Sequence, residues 1–200
     1  MARRTGLTRD EIQTNALTVG GDLIAKYGLS KFSMRQVAKE IGYTVGTLYN
    51  VFKNQDDFLL QINIITLNDL QCFIQQRLNP NSHGKNILLN IASSYYVFAK
   101  DHYKRWRTLF EYTLTEETTL PKWYTDKIAS LMNVAEQALS DINLSSTQIQ
   151  RTSRVLWASV HGICALALAD KLALTQSDPA EELISELIDK YFAGLALEDK

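Results

Sequence analysis

Ile12, Ala16, Val19, Leu23 and Ile24 recur at the spacing of one helical face, and Gly28 ends that face just after Tyr27. Thr8 and Glu11 form a capping box at its start, flanked by Leu7 and Ile12 as the apolar pair that staples the entering chain. Ser33 and Gln36 repeat the box, with Phe32 and Val37 around it, and open a helix of only about eight residues that closes at Gly42. Thr44 can cap a second short helix, Val45–Val51. Asn54 then caps a long one whose first turn carries Asp56 and Asp57, where the helix dipole favours acids.

Further along, the pattern predicts helices over Gln55–Arg77, Gly84–Asp101, Tyr103–Glu116, Pro121–Ser140, Thr147–Lys171 and Pro179–Leu195. Ser145 and Gln148 supply another capping box, and Asp178, Pro179 and Glu181 supply a cap with proline at the first helical position. The last helix carries an apolar stripe of Ala180, Leu183, Ile184, Leu187, Ile188, Tyr191, Phe192 and Leu195. Its predecessor is apolar around most of its circumference between Val155 and Ala169. Two such neighbours need a further surface to cover their surplus, and a symmetric copy offering the same pair makes a four-helix interface. The expectation is a homodimer through the last two helices.

Three prolines and nine glycines in 200 residues are too little punctuation for many short strands. The fold expected is therefore all-α, with about nine helices. The run without an ionisable charge, Val155 to Ala169, is shorter than the roughly 20 residues a membrane span requires, so no membrane association is expected. Met-Ala-Arg-Arg-Thr-Gly leads into a polar segment without an apolar signal core, and the expected location is the cytoplasm. Cys72 and Cys164 make no metal spacing and read as buried thiols.

Charge is unevenly placed. Residues 1–55 hold eight basic and four acidic side chains, whereas the rest hold 13 basic and 18 acidic. A cationic head on an anionic body suggests that the head meets a polyanion. The helix pattern agrees, because two short helices joined by a three-residue turn containing Gly42 make a helix-turn-helix over about residues 33–52. Ala38 is small enough to let the second helix close on the first, and Gly42 can take the left-handed conformation that reverses the chain. Val37, Ile41, Leu48 and Phe52 close the small core. Arg35, Thr44, Val45, Gly46, Thr47, Tyr49 and Lys53 are left to face outward. The chain then divides into a helix-turn-helix domain, 1–55, and a larger helical body, 56–200.

The run from Ser33 to Leu59 resembles the DNA-binding signature of the TetR (tetracycline-repressor-like) family of transcriptional regulators. The resemblance rests on Val37-Ala38-Lys39-Glu40-Ile41-Gly42, then Gly46-Thr47-Leu48-Tyr49, then Phe52-Lys53-Asn54. It implies an all-α homodimer with a three-helix DNA-binding head and a larger ligand-binding and dimerisation body. It also implies a palindromic double-stranded operator, released when a small-molecule effector binds. By that resemblance Val45–Val51 is the recognition helix, Thr44 to Thr47 approach base edges, Tyr49 and Lys53 meet phosphates, and Arg35 reaches the major groove from the preceding helix. Ser33 completes the DNA-binding set.

The residues themselves add a limit. The recognition helix has no Arg, Lys or Gln for a bidentate purine contact. Thr44, Val45 and Thr47 offer methyl groups for thymine and single hydroxyl bonds, and Gly46 lets the backbone come close. Arg35 is then the candidate for reading guanine. Gln55 stands where the family usually carries a basic residue, so Lys53, the helix N-terminus and the Arg3–Arg4 arm must supply the attraction. That arm has two readings, entry into the minor groove or a solvated tail.

Trp157, His161 and Gly162 resemble the WHG-type C-terminal domain of TetR-like regulators. Trp157 and His161 share one helix face, where a histidine is either a hydrogen-bonded core residue or a ligand contact. Phe98, Trp106, Phe110, Trp157 and His161 are the candidate contacts of a neutral or aromatic effector. No triad context, phosphate loop or His–Glu metal spacing is present, so no catalytic residue, cofactor or metal is expected. Two further classes stay open: a DNA-binding regulator without a small ligand, and an interaction module that has lost DNA binding.

Overall fold

The computed structural model describes residues 7–79, 81–114, 119–140, 142, 144–175 and 178–198. Among them are nine α-helices, two short 3-10 turns and no strand. The helices are α1 (Arg9–Tyr27), α2 (Met34–Glu40), α3 (Val45–Tyr49), α4 (Gln55–Arg77), α5 (Lys85–Asp101), α6 (Tyr103–Glu111), α7 (Lys122–Ala138), α8 (Ser146–Leu168) and α9 (Ala180–Glu198). The chain forms two compact units, Met1–Asn68 with His102–Tyr124, and Asp69–Asp101 with Thr125–Lys200. The Arg3–Arg4 arm and Glu116 lie outside the described residues.

In the first unit the expected caps are made. Thr8 accepts from the Glu11 amide while the Glu11 carboxylate accepts from the Thr8 amide at 2.7 Å, which holds its pKa below the ordinary value. Ser33 accepts from the Gln36 amide at 3.2 Å, but its return contact differs from a full box. The Gln36 carbonyl oxygen faces the Ser33 hydroxyl, not the Ser33 amide. Gly28 and Gly42 have φ of 81° and 76°. At Gly42 the Tyr43 amide reaches back to the Ala38 carbonyl at 2.9 Å and the Gly42 amide to Lys39, the paired bonds of a Schellman stop. Ile12, Ala16, Ile24, Val37, Ala38, Leu48 and Phe52 fill the core, joined by Phe58, Leu59 and Ile62 of α4. Tyr112 packs on the same cluster, so the unit includes residues well beyond 55.

α6 ends at Glu111, short of the Glu116 expected from periodicity. Tyr112 leaves the helix at φ −76°, ψ 115°, and its hydroxyl donates to the buried carboxylate of Asp56. Burial and that partner raise the phenol's pKa. α6 also bonds to its neighbours in this unit, Arg105 to the Thr66 hydroxyl at 3.2 Å and Lys104 to the Lys26 carbonyl at 2.6 Å.

In the second unit α5, α8 and α9 pack against one another. Ser145 and Gln148 make the expected box at the start of α8. Leu156, Val160 and Cys164 of α8 are buried, as are Ala180, Ile184 and Ile188 of α9. Burial pushes the Cys164 thiol up to about 12. Cys72, expected to be buried, is exposed. It shares the polar face of α4 with the exposed Asn68, Asp69 and Gln76, and the Gln76 amide donates to its sulfur. No described helix is long and apolar enough to cross a membrane.

Candidate nucleic-acid interface

The short helix α3 stands on a hydrogen-bonded foot. Thr44, in extended backbone at ψ 158°, accepts from the Thr47 amide at 3.2 Å, and the two hydroxyls lie 3.0 Å apart. One of those hydroxyls must donate to the other, so the couple offers one free O–H to a partner. Leu48 is fully buried beneath this turn. Thr44 and Gly46 are exposed above it, and Thr47 is half-buried. Val45 is also half-buried and packs against the head core, so its outward presentation is only partial.

Gly46 is not a packing glycine. A methyl there would meet only the Thr44 hydroxyl, at 3.7 Å. Nothing inside the protein demands glycine at this place.

Tyr49 is 48% exposed, and Lys53, Gln55 and Arg35 are exposed. Ser33 is occupied as the cap of α2. The turn between α3 and α4 is tightly organised. Asn54 accepts from the Asp57 amide at 2.8 Å, and Asp57 accepts from the Lys53 amide at 3.0 Å. Arg9 of α1 donates to the Val51 carbonyl at 3.4 Å. The sequence-derived set is thus gathered on the capped pair α2–α3 and the turn that follows, with polar groups outward and apolar ones inward. The anchoring partners Arg9, Gln13 and Gln61 were not in that set, because their bonds span 42 and 48 positions and leave no local signature.

The five candidate effector contacts lie in both units. Trp106 and Phe110 belong to the first, with ring centroids 5.4 Å apart; Trp106 is buried and Phe110 exposed. Phe98, Trp157 and His161 belong to the second. Phe98 is fully buried, edge-on to Phe73 at 5.7 Å. His161 stacks on Trp157 at 5.7 Å, and its Nδ1 lies 2.8 Å from the Tyr95 hydroxyl. Desolvation lowers the imidazole's pKa, which favours the neutral ring. Tyr95, itself buried, is a partner that the sequence pattern did not single out. Among the described residues no group of three or more His, Cys, Asp or Glu is placed to hold a metal ion.

Comparison with known proteins adds the family. Residues 17–62 match the family model described as bacterial regulatory proteins, tetR family. Residues 88–191, just over half the chain, match the tetracyclin repressor-like, C-terminal domain. A solved protein of unknown function from Rhodococcus sp. RHA1 superposes with a TM-score of 0.76 at 18% identity, over 98% of this chain and 100% of that one. A tetR-family transcriptional regulator from Streptomyces coelicolor gives 0.65 at 18% identity, over 96% and 82%. A TetR-like transcriptional regulator from Rhodococcus sp. RHA1 gives 0.63 at 14% identity, over 94% and 100%. No curated protein matches at the stringency at which 142 chains of solved structures do. At these identities the structures speak for the fold, and the two family models carry the assignment: the chain belongs to the TetR family of DNA-binding bacterial transcriptional regulators.

Proposed function

We propose that the protein is a homodimeric repressor that holds a palindromic operator and lets it go when a small, neutral or aromatic effector binds. The observation that carries the DNA-binding part is the turn from Thr44 to Tyr49, where the Thr44-capped helix α3 leaves Thr44, Gly46 and Tyr49 exposed and Thr47 half-buried. Arg35 supplies the purine contact that α3 lacks, and Lys53 with Tyr49 supplies phosphate contacts.

Dimerisation is supported by α8. Val155, Ala158, Gly162 and Leu166 fall on the side of that helix opposite Leu156, Val160 and Cys164, which are buried. Val155 is 43% and Leu166 49% exposed, and a methyl placed on Gly162 would meet nothing within 4 Å among the described residues. An apolar helix side left largely exposed by the described residues suits a second copy, and two copies present two recognition helices to two half-sites.

α4 links effector to operator in this reading. Its first turns belong to the core of the first unit and its last turns to the second. An effector that binds one tilt of α4 better than another shifts the equilibrium towards that tilt by its differential affinity, and operator affinity follows.

The test is a gel shift with duplex fragments from upstream of the protein's own coding sequence, in dilute buffer. Binding that a thermal-shift hit then reverses supports the whole reading. Binding that no compound reverses leaves a regulator without a small ligand. No retardation of any duplex overturns the DNA-binding function.

A further inference from the structure

The turn that carries Lys53 is held from behind by α1. We propose that Gln13 and Gln61 are positioning residues for Lys53, fixing its backbone for the phosphate contact through a relay that ends on Asp57. The inference rests on the DNA-binding reading above. Gln13 Nε2 donates to Gln61 Oε1 at 2.8 Å, and Gln61 Nε2 donates to Asp57 Oδ1 at 3.1 Å. Asp57 Oδ2 accepts from the Lys53 amide at 3.0 Å.

The carboxylate sets the direction of the whole relay. An ionised Asp57 only accepts, so Gln61 must turn its NH2 towards it and its carbonyl towards Gln13, which must then donate. The amide at position 61 serves both neighbours, donating to one and accepting from the other; a carboxylate there would repel Asp57. Gln13 lies one turn after Arg9 on α1, and Arg9 holds the Val51 carbonyl. Two side chains one turn apart on α1 therefore reach the segment 51–57, Arg9 directly at Val51 and Gln13 by way of Gln61.

Capping alone does not require this. The cap of α4 is complete with Asn54 and the Asp57 amide. The Gln13–Gln61 bond spans 48 positions and adds nothing to that cap. Its consequence is to tie the second turn of α4, at Gln61, to α1, and through Gln61 to hold Asp57 in the first turn. Lysine is a point charge on a flexible stem, so its aim depends on where its backbone is held.

The test uses Gln61→Leu and Gln13→Leu, each compared with Lys53→Gln and with the corresponding double variants. Amide exchange at Lys53 is read by NMR in the free protein. Affinity is read over a salt series with the best-binding upstream duplex. Gln61→Leu is expected to speed exchange at Lys53 and to weaken binding by about 2- to 10-fold. The slope of log affinity against log salt should fall towards that of Lys53→Gln, where each lost phosphate contact removes about 0.9. The double variant should bind no more weakly than Lys53→Gln alone. Unchanged exchange at Lys53 overturns the relay even if no duplex binds, a result that separates its failure from failure of the DNA-binding reading. Additive losses with an unchanged slope overturn the positioning role, since general loosening would give that pattern. If Gln61→Leu fails to fold, Gln13→Leu removes only the link on α1 and decides the matter by the same measurements.

Discussion

Thr47 gives its amide proton to Thr44 across 3.2 Å, and the hydroxyls of the same two residues sit 3.0 Å apart. One threonine pair therefore starts α3 and, in the proposed DNA-binding reading, also offers polar atoms to a base edge. Thr44→Ala is expected to cost about 0.5–2 kcal/mol of stability, the usual loss of a helix cap. Thr44→Ser keeps the cap and removes only the methyl. Urea melts should return the serine variant close to wild type while its affinity for a thymine-bearing half-site stays reduced. Equal affinity of Thr44→Ser and wild type would remove Thr44 from base readout.

Gly46 separates fold from recognition more sharply. A methyl at this position finds open space apart from the Thr44 hydroxyl at 3.7 Å. Alanine is also the better helix former by about 1 kcal/mol. Gly46→Ala should therefore melt no lower than wild type, yet, if the proposed reading holds, bind its operator at least several-fold more weakly, because the added methyl would stand between backbone and bases. Fluorescence anisotropy with a labelled duplex reads the loss, and undiminished affinity would show that the backbone makes no close approach there.

Gly20 works the other way. Here a methyl would come within 2.6 Å of the Phe58 ring and 2.8 Å of the Ile62 side chain, both of them buried. The ring is enclosed by Phe32 and Phe52, at centroid distances of 5.7 Å and 4.7 Å, and has little room to retreat. Gly20→Ala is expected to cost about 1–3 kcal/mol through overpacking, against the gain in helix propensity. A urea midpoint unchanged from wild type would show that the core can absorb the methyl.

The contrast between these glycines explains what could be read from the chain. Thr8, Ser33, Thr44 and Asn54 announce helix starts within four residues, and Gly28 and Gly42 announce stops by conformational need, so the helix-turn-helix was legible almost residue by residue. The close approach of Gly20 to Phe58 joins positions 38 apart, and no periodicity marks it. Tyr112 continues the apolar spacing of α6, yet it leaves the helix because its hydroxyl reaches the buried Asp56. The anchors of the α3–α4 turn were silent for the same reason. Trp157 and His161 could be placed on one face from sequence, but Tyr95, which fixes the imidazole from 66 positions away, could not.

That imidazole gives the protein an acid-side dependence with a definite sign. Burial holds the folded pKa of His161 below its ordinary 6.5, so the unfolded chain takes up the proton first as pH falls. Stability contributed by the neutral ring is present above about pH 6.5 and is lost as pH drops below it. Wild type and His161→Gln should differ in the slope of urea midpoint against pH between 6.5 and 5, with the shallower slope in the variant. Carboxylates titrate equally in both proteins and cancel in the comparison. Parallel slopes would mean that the ring protonates in place, with the Tyr95 hydroxyl turning to accept.

Leu166 decides whether the uncovered side of α8 is a subunit surface. It is 49% exposed on α8, one turn from Gly162, where an added methyl meets no described atom within 4 Å. A carboxylate at this place remains solvated in a lone protomer but is buried beside apolar groups in a symmetric pair, where each subunit contributes one. Leu166→Glu should thus leave the urea midpoint of the separated chain nearly unchanged and shift sedimentation from dimer to monomer. Operator affinity should then fall by a factor of about 100 or more, since joining two heads raises the effective concentration of the second. A variant that sediments as a dimer places the interface elsewhere. A monomer that keeps full operator affinity removes the need for paired heads altogether.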